Sequence, residues 1–578
     1  MSGNEAIARG AYEAGVTVAV GYPGTPSTEI LENVVKYKSD IYCEWSPNEK
    51  VALEVAASAS MAGARSIVTM KHVGLNVAAD PLMTLACIGV EGGLVICVAD
   101  DPGMHSSQNE QDTRNYARFA KIPIFEPVDS QEAKDFVAEA IKVSEKFNTP
   151  VILRSTTRIS HSRSLVEFQD RAPINKVAFE KNPPRFVPVP MWGREMRKNV
   201  EVRLGQLTKA ACESKANRME MRDKKLGIIV SCIAYQYVRE VWPDASVLKL
   251  GFAYPFPDDL IKEFAGQVDE LLIVEELDNF LEEHIKALGI ACEGREFISG
   301  IGELSVTALR EAKAKMQGKE SGVVSSFVPD NDLPGRPPVL CSGCPHRGIF
   351  YALGKHDVVV TGDIGCYSLG AFKPLNRLDI ILCMGGGVSM AHGLDKAGEP
   401  KKVVGIVGDS TFFHSGITGL LDIAYNKGNS TIIVVDNRTT AMTGHQENPG
   451  TGLTLMGEPT ISASIAEIGK ACGIKRVREV DPYDQETTQK VISEELAANE
   501  ASLIISVGAC ILKERKPVGT KRIIDQDKCK NCKACLKLGC PAIEGGDGKP
   551  KINDFLCTGC ALCEQVCPFG AISAVEDK

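Results

Sequence analysis

The chain has 578 residues, 44% hydrophobic and 24% charged, with a net charge of −9. It is too long for one core, and its composition is that of ordinary folded domains, so disorder is excluded and several domains are expected. No run of about eighteen apolar residues suggests a membrane span, and the mild acidity gives no reason to invoke nucleic acid.

The N-terminal "MSGNEAIARGAYEAGV" enters an amphipathic helix directly, without the layout of a secretory signal, so a cytoplasmic protein is expected. Across residues 1–165, strand-like runs ("VTVAVGYPG", "SIVTMKH", "GGLVICVADD", "TPVILRST") alternate with helical patterns, which predicts a doubly wound α/β domain. The proline-rich "FEKNPPRFVPVPMWG" breaks the pattern and opens a connector, 166–225, whose polar stretch from Gly193 to Lys225 reads as a solvated bridging helix. A second α/β domain is expected over 226–320, with "KLGIIVSC" and "ELLIVEEL" as strands, followed by a Gly/Ser/Pro linker at 321–336. A third α/β block occupies 337–518, with "HDVVVTGD", "LDIILCMGGG", "KVVGIVGD", "STIIVVDN" and "SLIISVG" as its strands. Residues 519–578 form a small module with too few apolar residues for a core of its own.

That module explains the cysteine distribution. Of twenty cysteines, eight lie in the last fifty residues: Cys529, Cys532, Cys535 and Cys540, then Cys557, Cys560, Cys563 and Cys567, each set followed by proline. Three thiolates at two-residue spacing wrap a [4Fe-4S] cluster while the remote fourth reaches the other cluster. Zinc knuckles would use two-plus-two spacing instead. The crossing rule assigns Cys529, Cys532, Cys535 and Cys567 to one cluster, and Cys557, Cys560, Cys563 and Cys540 to the other. Four residues, not the usual three, separate Cys535 from Cys540.

In the third block a buried strand ends at Gly408-Asp409-Ser410 and the next at Asp436-Asn437. A strand-end glycine lets backbone amides approach a diphosphate, and the Asp409 and Asn437 oxygens suit a magnesium ion shared with it. Asp409 and Asn437, twenty-eight residues apart, resemble the thiamine diphosphate signature. The resemblance implies backbone ligation of the metal by Thr439, a cofactor-side turn at Gly385 and Gly386 in "MGGGVSMAHG", and a strip beneath the cofactor in "NRTTAMTGHQ" that includes Met442. A Rossmann nucleotide site is the alternative, and the glycine spacing disfavours it. In the first block "SPNEKVALEVAASASMAGARS" resembles the pyrimidine-binding helix of 2-oxoacid:ferredoxin oxidoreductases, with Glu49 fourteen residues before Gly63. By that resemblance Glu49 activates the aminopyrimidine, and Glu54 is the fallback.

Together with "GYPGTPSTE" and "LCSGCPHRG", these motifs make the whole chain resemble the alpha subunit of indolepyruvate:ferredoxin oxidoreductases. The resemblance implies a multidomain α/β fold with pyrimidine-type and pyrophosphate-type thiamine domains, an α/β middle domain and a C-terminal ferredoxin-like α+β module. It implies oxidation of an arylpyruvate with coenzyme A to an arylacetyl-CoA and carbon dioxide, with electrons passed to ferredoxin, and a smaller beta subunit in an α2β2 assembly. Thr25 is nominated for the substrate carboxylate, and His346 and His414 as polar groups near the reacting centre. Arg114 either balances that carboxylate or sits in a surface salt bridge. A third [4Fe-4S] cluster is expected on Cys341, Cys344, Cys366 and Cys510, whereas Cys383, within "IILCMG", is read as a core residue. A non-oxidative thiamine decarboxylase and an electron-transfer subunit with a degenerate thiamine domain are the competing readings.

Overall fold

The computed structural model describes residues 1–174, 177–319 and 337–575, and divides into two units, Met1–Asp330 and Asn331–Lys578. The expected linker at 321–336 lies outside the described residues. No helix among them is long and apolar enough to cross a membrane.

The first unit carries strands β1 (Val18–Gly21), β2 (Tyr42–Trp45), β3 (Ser66–Lys71), β4 (Leu94–Asp100), β5 (Ile124–Phe125), β6 (Val151–Thr156), β7 (Arg218–Glu220), β8 (Asp223–Ser231), β9 (Ala245–Leu250), β10 (Phe252–Tyr254) and β11 (Glu270–Val274). Seven form a sheet in the order β10-β5-β6-β4-β3-β1-β2, parallel throughout except for β10 against β5. Every residue of β3, β4 and β6 is buried, as expected of strands covered by helices on both faces. The helix Gly3–Glu13, started by a reciprocal Ser2/Glu5 cap, packs against Ser130–Phe147. Leu53 of Glu49–Met61 and Leu82 of Ala79–Ile88 enter the main core.

Four further strands form the sheet β11-β8-β9-β7. The stretch expected as a solvated connector is only partly one. Its helix, Pro190–Glu213, buries Met196, Val200, Leu207 and Ala211, and β7 and the start of β8 lie within the remainder. The step from β9 to β10 returns the chain to the first sheet, where Phe252 stacks on Phe125 at 4.5 Å.

The second unit contains β12 (Val358–Gly362), β13 (Ile380–Ile381), β14 (Lys402–Gly408), β15 (Thr431–Asp436), β16 (Arg476–Val480) and β17 (Ser502–Val507), all parallel, in the order β13-β12-β14-β15-β17-β16. The run "LDIILCMGGG" yields only the two-residue edge strand β13, and Leu382 and Cys383 are exposed. Cys383 is therefore not a core residue. An apolar run lies buried only when neighbours cover it, and β13 pairs on one side alone. In the tail, two antiparallel pairs, Arg522–Ile524 with Ile572–Ala574 and Ile543–Glu544 with Lys551–Ile552, surround a core of a few aliphatic residues and cysteines.

Candidate active site and cluster ligands

Parallel sheets collect ligands at the carboxyl ends of their strands. Gly408 pairs with Val435, so the next residue of each strand brings Asp409 and Asp436 to one level of that edge, with Asn437 directly after. Asp409 is buried and its Oδ2 accepts from the Thr439 amide and from Asn448 Nδ2, both at 3.1 Å. Burial, aided by the neighbouring Asp436 carboxylate, pushes its carboxyl up to about 7. Asn437 Oδ1 is buried without a hydrogen-bond partner, and its Nδ2 lies 3.4 Å from His346 Nε2. A buried carboxylate short of countercharge beside an orphaned amide oxygen is a donor set that a hard cation satisfies, so these residues fit a magnesium ion. Thr439 is 1% exposed beside them. Burial drives the His346 imidazole down to about 4, which keeps it neutral.

Around this edge, Gly385 adopts φ +76, and a Cβ there would strike the Ser415 side chain, so the turn before the helix Gly386–Ala397 requires glycine. His414 sits in a π-helical turn, Phe412–Gly416, with Nδ1 2.9 Å from Ser415 Oγ, and Ser410 Oγ accepts from Thr440 Oγ1 at 2.9 Å. Met442 is half exposed. Sequence reasoning missed Asn448 and Asp363. Asp363 is fully buried, accepts from the Gly385 amide at 2.7 Å and from the Tyr367 hydroxyl, and is pushed by burial up to about 7. A signal for it existed, because Gly362-Asp363 repeats at the end of β12 the Gly-Asp step that ends β14. No comparable signal marks Asn448.

In the first unit Glu49 opens its helix behind the Asn48 cap and is 5% exposed. Its carboxylate lies so close to Gly74 that a Cβ there would come within 2.5 Å of Oε1. Glu54 is on the solvent side, paired with Lys50. The carbonyl of Thr25, in the loop after β1, accepts from Ser106 Oγ at 3.2 Å. Arg114 takes neither expected role. It is 1% exposed, held by Asp112 and, at 2.7 Å, by Glu275 next to β11. This buried ion pair joins the two sheets of the unit and commits the guanidinium to Asp112, Glu275 and the Glu276 and Asp278 carbonyls.

The tail groups its cysteines in two sets. Cys529, Cys532, Cys535 and Cys567 line one cavity, and Cys540 lies within electrostatic reach of Cys560 and Cys563, as does Cys557. A third set joins Cys341 with Cys510 and Cys366, and Cys344 with Cys341 and Cys366, by the same measure. The Cys510 amide donates to the Asn437 carbonyl at 3.0 Å, so this third set borders the Asp409/Asn437 edge. Arg347 links it to the tail, donating to Cys341 O at 3.0 Å and to Leu538 O at 2.6 Å.

Comparison with known proteins matches three stretches of the chain. Residues 9–225 match the family described as pyruvate flavodoxin/ferredoxin oxidoreductase, thiamine diP-binding; residues 363–506 match the thiamine pyrophosphate enzyme C-terminal TPP-binding domain; residues 550–573 match the 4Fe-4S binding domain. The indolepyruvate oxidoreductase subunit IorA of Methanothermobacter marburgensis is 42% identical over 99% of this chain and 96% of its own length. That of Pyrococcus horikoshii is 40% identical over 100% and 97%. A 2-oxoglutarate synthase subunit KorA of M. marburgensis is 25% identical over 48% of this chain and 87% of its own. With full-length relatives at this level and thiamine and iron–sulfur domains both matched, the chain belongs to the indolepyruvate oxidoreductase IorA family of thiamine-diphosphate-dependent 2-oxoacid:ferredoxin oxidoreductases.

Proposed function

We propose that the chain is the catalytic alpha subunit of a CoA-acylating arylpyruvate:ferredoxin oxidoreductase. One arylpyruvate, one coenzyme A and two oxidised ferredoxins give an arylacetyl-CoA, carbon dioxide, a proton and two reduced ferredoxins. The observation that supports this reading is the Cys510–Asn437 hydrogen bond, which brings Cys510 beside the strand end that would hold the metal. A non-oxidative decarboxylase needs no electron outlet there, and an electron-transfer scaffold needs no orphaned Asn437 oxygen.

Bound thiamine diphosphate supplies the carbanion that a 2-oxoacid requires and the sink for the charge left by decarboxylation. The protein's part is to hold and orient. Asp409, Asn437 and the Thr439 carbonyl would hold magnesium, while Gly408, Ser410 and the turn at Gly385 and Gly386 would hold the diphosphate. Met442 belongs to the strip beneath the cofactor. Glu49, buried against Gly74, would accept the hydrogen bond of the aminopyrimidine ring and shift its proton balance. His346, kept neutral, and His414 would supply polar contacts at the reacting carbon, and Thr25 would approach the substrate carboxylate. Cys341, Cys344, Cys366 and Cys510 would hold a proximal [4Fe-4S] cluster, and the eight tail cysteines two more. A smaller beta subunit would complete the enzyme as α2β2, with ferredoxin as the external acceptor.

The test is a panel of 2-oxoacids given anaerobically to the complex purified with its partner subunit. Viologen reduction that needs both an arylpyruvate and coenzyme A is expected, with pyruvate and 2-oxoglutarate poor substrates. Aldehyde formation independent of coenzyme A would identify a decarboxylase, and protein that retains no thiamine would identify a scaffold.

A further inference from the structure

The first sheet has its topological switch point between β1 and β3: the chain leaves β1 for β2 on one side, then crosses to β3 and β4 on the other. Ligands of such sheets sit in the crevice outside the strand ends at that point. Three loops meet there: Gly24 and Thr25 after β1, Lys71 and His72 at the end of β3, and Asp101 to Ser107 after β4.

Lys71 is 7% exposed, its stem packed on Gly24, where a Cβ would lie 3.0 Å from that of Lys71. Its Nζ donates to the Ser106 carbonyl at 2.6 Å and, weakly, to Ser106 Oγ at 3.4 Å, not to a carboxylate. The nearby Asp101 is already occupied, accepting from the Ser106 amide and from the hydroxyls of Ser107 and Thr157. Ser106 Oγ in turn reaches the Thr25 carbonyl. Burial brings the Lys71 ammonium down to about 8, against the pull of Asp101, so it remains largely charged at neutral pH. His72 is 1% exposed and neither ring nitrogen has a hydrogen-bond partner, with the Asn109 backbone in its vicinity. Two residues on, Gly74 contacts the Glu49 carboxylate.

An ammonium buried without a carboxylate, next to an imidazole with unused nitrogens, is costly unless an anion completes the set. We propose that Lys71 and His72 form the seat for the 2-oxoacid carboxylate, with the Ser106 loop as its wall and Thr25 at its rim. The assignment rests on the 2-oxoacid reading above. It explains why the cation comes from a strand end beside Glu49 while Arg114 is consumed by the ion pair with Glu275. Lys71 offers a third N–H for a carboxylate oxygen once Ser106 has taken its share.

The experiment uses the assembled complex and the variants Lys71→Met, which keeps the stem, Lys71→Arg and His72→Asn. For Lys71→Met the KM for arylpyruvate should rise about ten- to a hundredfold, the size of one charge-assisted hydrogen bond, with the KM for coenzyme A unchanged. Lys71→Arg should recover part of the loss, and His72→Asn should show a smaller rise. Binding of an arylpropionate, which has the carboxylate but cannot react, should weaken in parallel in an equilibrium titration. This arm decides the matter even if the wild type turns over no 2-oxoacid, a result that would sink the reaction assignment alone. Unchanged arylpropionate affinity in Lys71→Met overturns the proposal. So does a rise confined to the KM for coenzyme A, which would make the anion a phosphate.

Discussion

Replacing Arg347 by methionine removes a buried cation shared by the Cys341/Cys344 loop and the iron–sulfur tail. The side chain is 1% exposed and donates to Leu340 O at 2.7 Å, Cys341 O at 3.0 Å and Leu538 O at 2.6 Å. Methionine fills similar volume but takes the donor from the Leu340 and Leu538 carbonyls, while the Cys341 carbonyl keeps the Cys344 amide at 3.1 Å. Each charge-assisted bond contributes about 1.5–3 kcal/mol, and bonds from one group do not add fully, so a loss of about 3–5 kcal/mol follows. Because the Leu538 bond is the one that reaches the tail, the loss should appear as local opening rather than global unfolding. Hydrogen exchange on anaerobic, cluster-loaded protein reads this directly. Amides around Leu538 and Cys540 should exchange about a hundredfold faster or more, while those of β14 and β15 stay as in the wild type. Arg347→Lys should fall between, since one ammonium cannot span both sides. Unchanged exchange at Leu538 in the methionine variant would refute the reasoning, leaving contacts such as those of Gln565 with the Gln485 amide and the Tyr483 carbonyl to hold the tail.

Three other outcomes are expected. Glu276 is fully buried with one oxygen unpartnered, and burial raises its carboxyl to about 7 from an ordinary 4.5, so the folded state holds a proton that the unfolded chain releases between those values. Its contribution therefore falls as pH rises from about 4.5 to 7, and Glu276→Gln should melt like the wild type at pH 4.5 but be up to about 3 kcal/mol more stable at pH 8, as thermal unfolding at the two pH values would reveal. Asp409→Ala should lose magnesium and thiamine diphosphate together on gel filtration, and tight thiamine retention would mean that another group holds the metal. Iron analysis of anaerobic protein should give about twelve irons per chain, falling to about eight in Cys344→Ala, whereas about eight in the fully loaded wild type would rule out the proximal cluster.

The long, buried and mostly apolar strands were legible because burial on both faces leaves a near-continuous signal, as in β4, β14 and β15. Short strands were not. β5 has two residues, β10 three, and both owe their place to pairing with strands distant in sequence. Run length alone also misplaced "IILCMG", since an edge position cannot be read from the segment itself. At the strand ends, the adjacency of Asp409 and Asn437 follows from parallel pairing that the sequence pattern indicates, and the short spacing of the tail cysteines is enough to bring each triplet together. The contacts of Asn448 with Asp409 and of Lys71 with the Ser106 loop are made by tertiary folding, and nothing local marks them. Arg114 shows the opposite error, in which a charge that looked available proved to be spent on Asp112 and Glu275.

The central claim is that decarboxylation in this chain delivers electrons to its own cysteine-bound clusters. A single turnover tests it: the anaerobic, thiamine-loaded complex is mixed with stoichiometric indolepyruvate and coenzyme A, without ferredoxin, while carbon dioxide and cluster absorbance are followed together. The account predicts one carbon dioxide released as two electrons bleach the clusters, with both signals lost by orders of magnitude in Glu49→Gln, which retains its thiamine. Carbon dioxide released as aldehyde forms, with the clusters still oxidised, would contradict it.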